Sequence, residues 1–154
     1  MRIEHIVKSS FIAGAALLAI LSTPARSSAG VKQFLAVLNG PQEIPLSASP
    51  ATGVAHLSFD TATKNLCYSI TYTGLVGGPE LFAHIHGPDL PVGNGGVGAV
   101  SIITLPLGAA KTGCVLNPGA PFVKADFFKN LYYINVHSVG FPAGEIRGQI
   151  LRIK

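Results

Sequence analysis

The chain has 154 residues, of which 48% are hydrophobic and 12% charged, with a formal net charge of +4 at neutral pH. Such a composition excludes a disordered or low-complexity chain and is enough for one domain with a real core. Half of the positive excess lies in the first 29 residues; from Gly30 onward eight basic residues face six acidic ones, and they are scattered, so no basic face for nucleic acid is expected.

Residues 1–29 carry Arg2 and Lys8, then the apolar run 11–21, then small and polar residues ending in Ser27-Ser28-Ala29. This is the three-part layout of a secretory signal peptide. The apolar run is too short to span a bilayer, and Ser27 and Ala29 suit a peptidase that leaves Gly30 as the new N-terminus, a retained N-terminal anchor being the alternative. No later stretch approaches membrane-spanning length. The expected mature protein, residues 30–154, is a single domain without a membrane span, secreted or periplasmic.

Beyond Gly30 apolar residues recur with a period of two, and helical periodicity is almost absent. Strands are predicted near 31–38, 51–59, 65–73, 80–86, 97–104, 131–138 and 144–152. Turn clusters separate them: Asn39-Gly40-Pro41, Gly77-Gly78-Pro79, Gly93-Asn94-Gly95-Gly96 and Asn117-Pro118-Gly119. One short helix is expected around 124–130, where Phe127 and Phe128 would cap an open edge. The pattern predicts an all-β fold, an antiparallel Greek-key-type β-sandwich of about seven to eight strands. Cys67 and Cys114 are expected to form a disulfide in an exported chain, a pair of buried free thiols being the alternative.

Side chains two apart on a strand share a face. His84 and His86 therefore point together on the fourth strand, Tyr133, Asn135 and His137 on the sixth, and Glu145, Arg147 and Gln149 on the last. If these three polar rows meet, they form one site. No glycine-flanked nucleophile elbow and no paired carboxylates point to hydrolysis, and no catalytic residue is assigned.

Three motifs in order carry a resemblance: Leu38-Asn39-Gly40-Pro41-Gln42-Glu43-Ile44-Pro45 with Ala51-Thr52-Gly53, then Phe82-Ala83-His84-Ile85-His86-Gly87-Pro88, then Tyr133-Ile134-Asn135-Val136-His137-Ser138 with Gly144-Glu145-Ile146-Arg147-Gly148-Gln149. Together they resemble the pattern of CHRD (chordin-repeat) domains of the exported microbial type, from about Phe34 to Leu151. The resemblance implies an extracellular domain rather than a reaction: a non-catalytic extracytoplasmic binding or structural module, recognising an extracellular protein or surface ligand. The chain departs from the pattern at Leu46, where a second proline often follows Pro45.

A weaker resemblance is chemical. Copper-zinc superoxide dismutases are also antiparallel sandwiches with a His-x-His pair, a later Val-His and a late arginine, and His84, His86, Val136-His137 and Arg147 follow the same order. The bridging histidine and the zinc-binding loop are missing. This implies, as the alternative function, a mononuclear copper or zinc protein with redox activity of the dismutase kind. His84, His86 and His137 would be the metal ligands, with Arg147 steering an anion and Asn135 or Glu145 orienting an imidazole. The same residues also fit a purely structural network, with Glu145 and Arg147 as a same-face ion pair. His56 is expected to be an exposed histidine rather than a fourth ligand.

Overall fold

The structure is a computed structural model and describes residues 30–89 and 100–153. The expected signal peptide, the Gly93–Gly96 turn run and the start of the fifth predicted strand lie outside the described residues.

Among the described residues, nine antiparallel strands form one sheet: β1 (Val31–Asn39), β2 (Thr52–Asp60), β3 (Leu66–Thr73), β4 (Glu80–Gly87), β5 (Val100–Thr104), β6 (Ala110–Val115), β7 (Tyr133–Ser138), β8 (Phe141–Gln149) and β9 (Leu151–Arg152). Their order is β5-β4-β7-β8-β1-β2-β3-β6, with β9 pairing on β1. The all-β antiparallel fold is as the sequence predicts. The two layers of the expected sandwich are the halves of a single sheet curled around one core. The chain crosses between the halves from β3 to β4, from β5 to β6 and from β6 to β7, and the last crossing places β7 against β4.

Alternation builds the core. On β1, Phe34, Ala36 and Leu38 are buried, and their partners across the pair with β2 are Leu57, Ala55 and Gly53. Ala83 and Ile85 of β4, Ile134 and Val136 of β7, and Ile146 of β8 complete the inward face from the other half. The predicted helix is present as α1 (Lys124–Phe128). Its Phe127 is fully buried against Phe34, with ring centroids 4.3 Å apart, and also meets Phe59, Phe122 and Tyr132. Phe128 packs beside it on Phe34 and Phe59, so the adjacent phenylalanines close one end of the core.

Strand β6 was not among the predicted strands. It carries Lys111 opposite the core residue Ile70, and a lysine at an inward position breaks the alternation that marks a strand. The fold accommodates the lysine by pairing it: Lys111 is only 2% exposed and its Nζ lies 2.6 Å from Glu80 Oε1 and 2.5 Å from the Gly108 carbonyl. Strand β6 also holds Cys114 directly opposite Cys67 of β3, and the two form the expected disulfide, with sulfurs 2.05 Å apart. Among the described residues, no helix is long and apolar enough to cross a membrane.

Strand β7, and β8 from Gly144 onward, are buried on both faces. Their inner face meets the core, and their outer face is covered by the segment between β1 and β2 and by the residues that follow β4. Ser49 of the first segment donates to Glu145 Oε1 at 2.7 Å. Asp89 of the second pairs with Arg147 at 3.0 Å, and its carbonyl accepts from Gln149 Nε2 at 3.2 Å.

Candidate metal centre

Alternation turns Phe82, His84 and His86 of β4 away from the core, because Ala83 and Ile85 between them point in. The register then aligns the strands: Phe82 lies opposite His137, His84 opposite Asn135, and His86 opposite Tyr133. Continuing across β7, Asn135 lies opposite Arg147 and Tyr133 opposite Gln149. The three polar rows expected from the sequence meet on the outer face of β4, β7 and β8.

His84, His86 and His137 form a group in which one ring nitrogen from each lies within 4.8 Å of the others. His84 Nδ1 lies 3.4 Å from His137 Nε2. Two nitrogens bound to one ion at about 2.0–2.1 Å in a tetrahedral arrangement stand about 3.3 Å apart. That pair is already at coordination spacing, and the third nitrogen must close by on the order of 1 Å.

The hydrogen bonds assign the proton on one ring. His137 Nδ1 lies 3.0 Å from the Pro142 carbonyl, which can only accept, so Nδ1 carries the hydrogen and Nε2 presents its lone pair toward His84. A ligating imidazole whose second nitrogen donates to a backbone carbonyl is held in tautomer and orientation. Without an ion, His84 Nδ1–H donates to that lone pair. Burial lowers the pKa of His84, helped by the neighbouring His137, and burial lowers that of His137 against the effect of the Pro142 bond. Both rings are therefore neutral at pH 7, the state in which imidazole binds metals.

The surroundings are aromatic on the open side and polar beneath. Phe82, 54% exposed, stacks on His84 with centroids 5.9 Å apart, and His86 stacks on Tyr133 at 5.1 Å. Asn135, 4% exposed, sits in register between His84 and Arg147, and its Oδ1 has no hydrogen-bonding partner among the described residues. His56 is exposed on β2 and outside the histidine group, as expected.

The other two residues singled out on β8 have different partners. Glu145 is fully buried and accepts from Ser138 Oγ, from Ser49 Oγ at 2.7 Å, and from the amides of Val76 at 2.6 Å and Gly77. Burial pushes its pKa up, but these four donors outweigh that and hold it below the usual carboxylate range. Arg147 does not pair with Glu145. Its guanidinium goes to Asp89 at 3.0 Å and lies over the Tyr133 ring, 3.5 Å from the centroid. The same-face ion pair expected from alternation is replaced: Asp89, just beyond β4, supplies the carboxylate for Arg147, and Glu145 is taken by its four donors.

Two members of this layer were not anticipated. Asp89 reads in the sequence as part of a turn, and only the Arg147 contact reveals its role. Glu43 is 3% exposed, and burial raises its pKa to about 7 in spite of the Arg147 charge and an amide hydrogen bond from Ile44. Its carboxylate lies over Gly144, where a Cβ would stand 2.5 Å from Oε2. The signal for Glu43 was its place in the first motif, whose proline-flanked sequence does not disclose burial.

A sequence model of the CHRD domain matches residues 34–150, and all three motifs lie within that span. The chain belongs to the CHRD domain family. The match runs from Phe34 within β1 through β8 and includes every member of the histidine group. Comparison of this CHRD-domain chain with curated proteins and with solved structures returns no match.

Proposed function

We propose that this protein is an exported, non-catalytic CHRD-domain module, secreted or periplasmic, whose outer sheet face holds one copper or zinc ion through His84, His86 and His137. The observation that carries the metal reading is the convergence of three ring nitrogens within 4.8 Å from two neighbouring strands. The proton of one ring is set by a backbone carbonyl, and two rings are kept neutral by burial. The donor set fits these ions, since neutral imidazole suits copper and zinc and three such ligands leave a position open. Export is supported by the leader-like layout of residues 1–29 and by the disulfide, which persists in oxidising compartments. The partner in this reading is an extracellular protein or surface ligand.

The test is metal analysis and copper and zinc titration of residues 30–154 beside a variant in which His84, His86 and His137 are all alanine. One ion per chain in the parent and none in a folded variant is the expected result. Equal uptake by both, or none by either, overturns the assignment and leaves the histidines as sheet architecture.

A further inference from the structure

His84 and His137 are tied to each other at 3.4 Å, and His137 is tied to Pro142. His86 makes ring contacts, edge-on with His84 at 5.2 Å between centroids and flat with Tyr133. Its ring lies on Tyr133 with planes 8° apart, and the Arg147 guanidinium lies over the same Tyr133 ring. Because β4 and β8 flank β7 on opposite sides, the phenol ring is held between imidazole and guanidinium. Arg147 is itself anchored by Asp89, at 3.0 Å, with 5% of its side chain exposed. Resting on the metal-centre reading above, we infer that Tyr133 and Arg147 are positioning residues for the third ligand, and that the column Asp89–Arg147–Tyr133–His86 aims the His86 ring at the position shared with His84 and His137.

The physical case has three parts. An imidazole turns about a broad, roughly two-fold terminal torsion, so an unsupported ring must be ordered before it can bind. A flat stack resists that rotation but tolerates sliding in the ring plane, which is the movement of on the order of 1 Å that His86 needs to complete the ligand set. The guanidinium is planar, permanently charged and weakly hydrated, so it serves as a flat backing for the phenol beneath the site, where both groups are buried. The phenolic hydroxyl has no part in the column, and the ring alone carries the effect.

The experiment uses residues 30–154 as Tyr133→Leu, Tyr133→Phe and Arg147→Met variants, with folding checked by circular dichroism. Copper(II) affinity is measured by chelator competition and the bound nitrogens are counted by electron paramagnetic resonance. Tyr133→Leu is expected to bind about ten- to a hundred-fold more weakly, the usual range for loss of a residue that orients a ligand, and to show two coupled imidazoles in place of three. Tyr133→Phe restores parental affinity and all three, and Arg147→Met falls between. In metal-free protein, histidine side-chain NMR should show one fixed His86 ring in the parent and a less ordered ring in Tyr133→Leu. A parent that binds no copper overturns the metal centre, while the metal-free His86 spectra still decide the positioning role. Three imidazoles at parental affinity in folded Tyr133→Leu, or an unchanged His86 ring, overturn that role; if Tyr133→Leu does not fold, unchanged binding and an unchanged ring in Arg147→Met do so.

Discussion

Two buried glutamates on the outer face act in opposite directions with pH. Glu43 has a folded pKa near 7 against an ordinary value of 4.5, so it costs nothing below about pH 4, where it is protonated in both states. As pH rises through 4.5 toward 7 the unfolded chain gives up the proton more readily, and stability falls. Glu43→Gln is therefore expected to match the parent in acid and to exceed it above pH 7 by up to on the order of 3 kcal/mol in urea denaturation. A difference that does not change with pH would show that Glu43 is already ionised beside Arg147. Glu145 runs the other way. Its folded pKa is held low by four donors, so its contribution is present above pH 4.5 and is lost as pH falls. Glu145→Ala leaves those donors buried and should cost on the order of 3 kcal/mol at pH 7, with the deficit shrinking in acid. Loss of less than 1 kcal/mol, about one ordinary hydrogen bond, would mean that water replaces the carboxylate. Neither role is legible in the sequence, because alternation gives the face a side chain points to and not what later covers it.

At the scale of elements, the sequence reveals those strands whose two faces differ. Strands β1 and β2 alternate cleanly and were placed within a residue or two of their bounds. The helix α1 was legible from Phe127 and Phe128 within a short polar segment, and its function as a plug follows from size: an aromatic ring buried among Phe34, Phe59, Phe122 and Tyr132. Phe127→Ala should cost about 3–5 kcal/mol, measured as a shift in the denaturation midpoint at constant slope. A loss near that of an exposed site would place the ring outside the core. Strand β6 was missed because its inward residue is a lysine made tolerable by Glu80, a partner 31 positions away. It is also an edge strand, held to β3 and covalently to Cys67. Replacing both cysteines by serine should lower stability by about 2–4 kcal/mol through the unfolded state and reduce hydrogen-exchange protection in β6 before the other strands. Uniform loss of protection across the sheet would contradict this local role.

For the whole molecule, the site depends on topology more than on any local motif. His84 and His137 are 53 positions apart and come together because the chain crosses the sheet after β3, after β5 and again after β6, which brings β7 beside β4. The sequence supplied the two rows and their facing, since a His-x-His on a strand must point one way. It did not supply their register, which sets Phe82 against His137 and His84 against Asn135. Nor did it show that Arg147 would be turned from the histidines toward Asp89 and Tyr133, because that depends on Asp89, just after β4, lying against Arg147 of β8. The CHRD match fixes the family and spans the group without assigning it chemistry. The most direct measurement is the X-ray absorption spectrum of residues 30–154 loaded with one equivalent of copper or zinc. Three imidazole nitrogens at about 2.0–2.1 Å, with their multiple-scattering signature, are the predicted result. A first shell of oxygen with one imidazole or none would contradict a centre built from His84, His86 and His137.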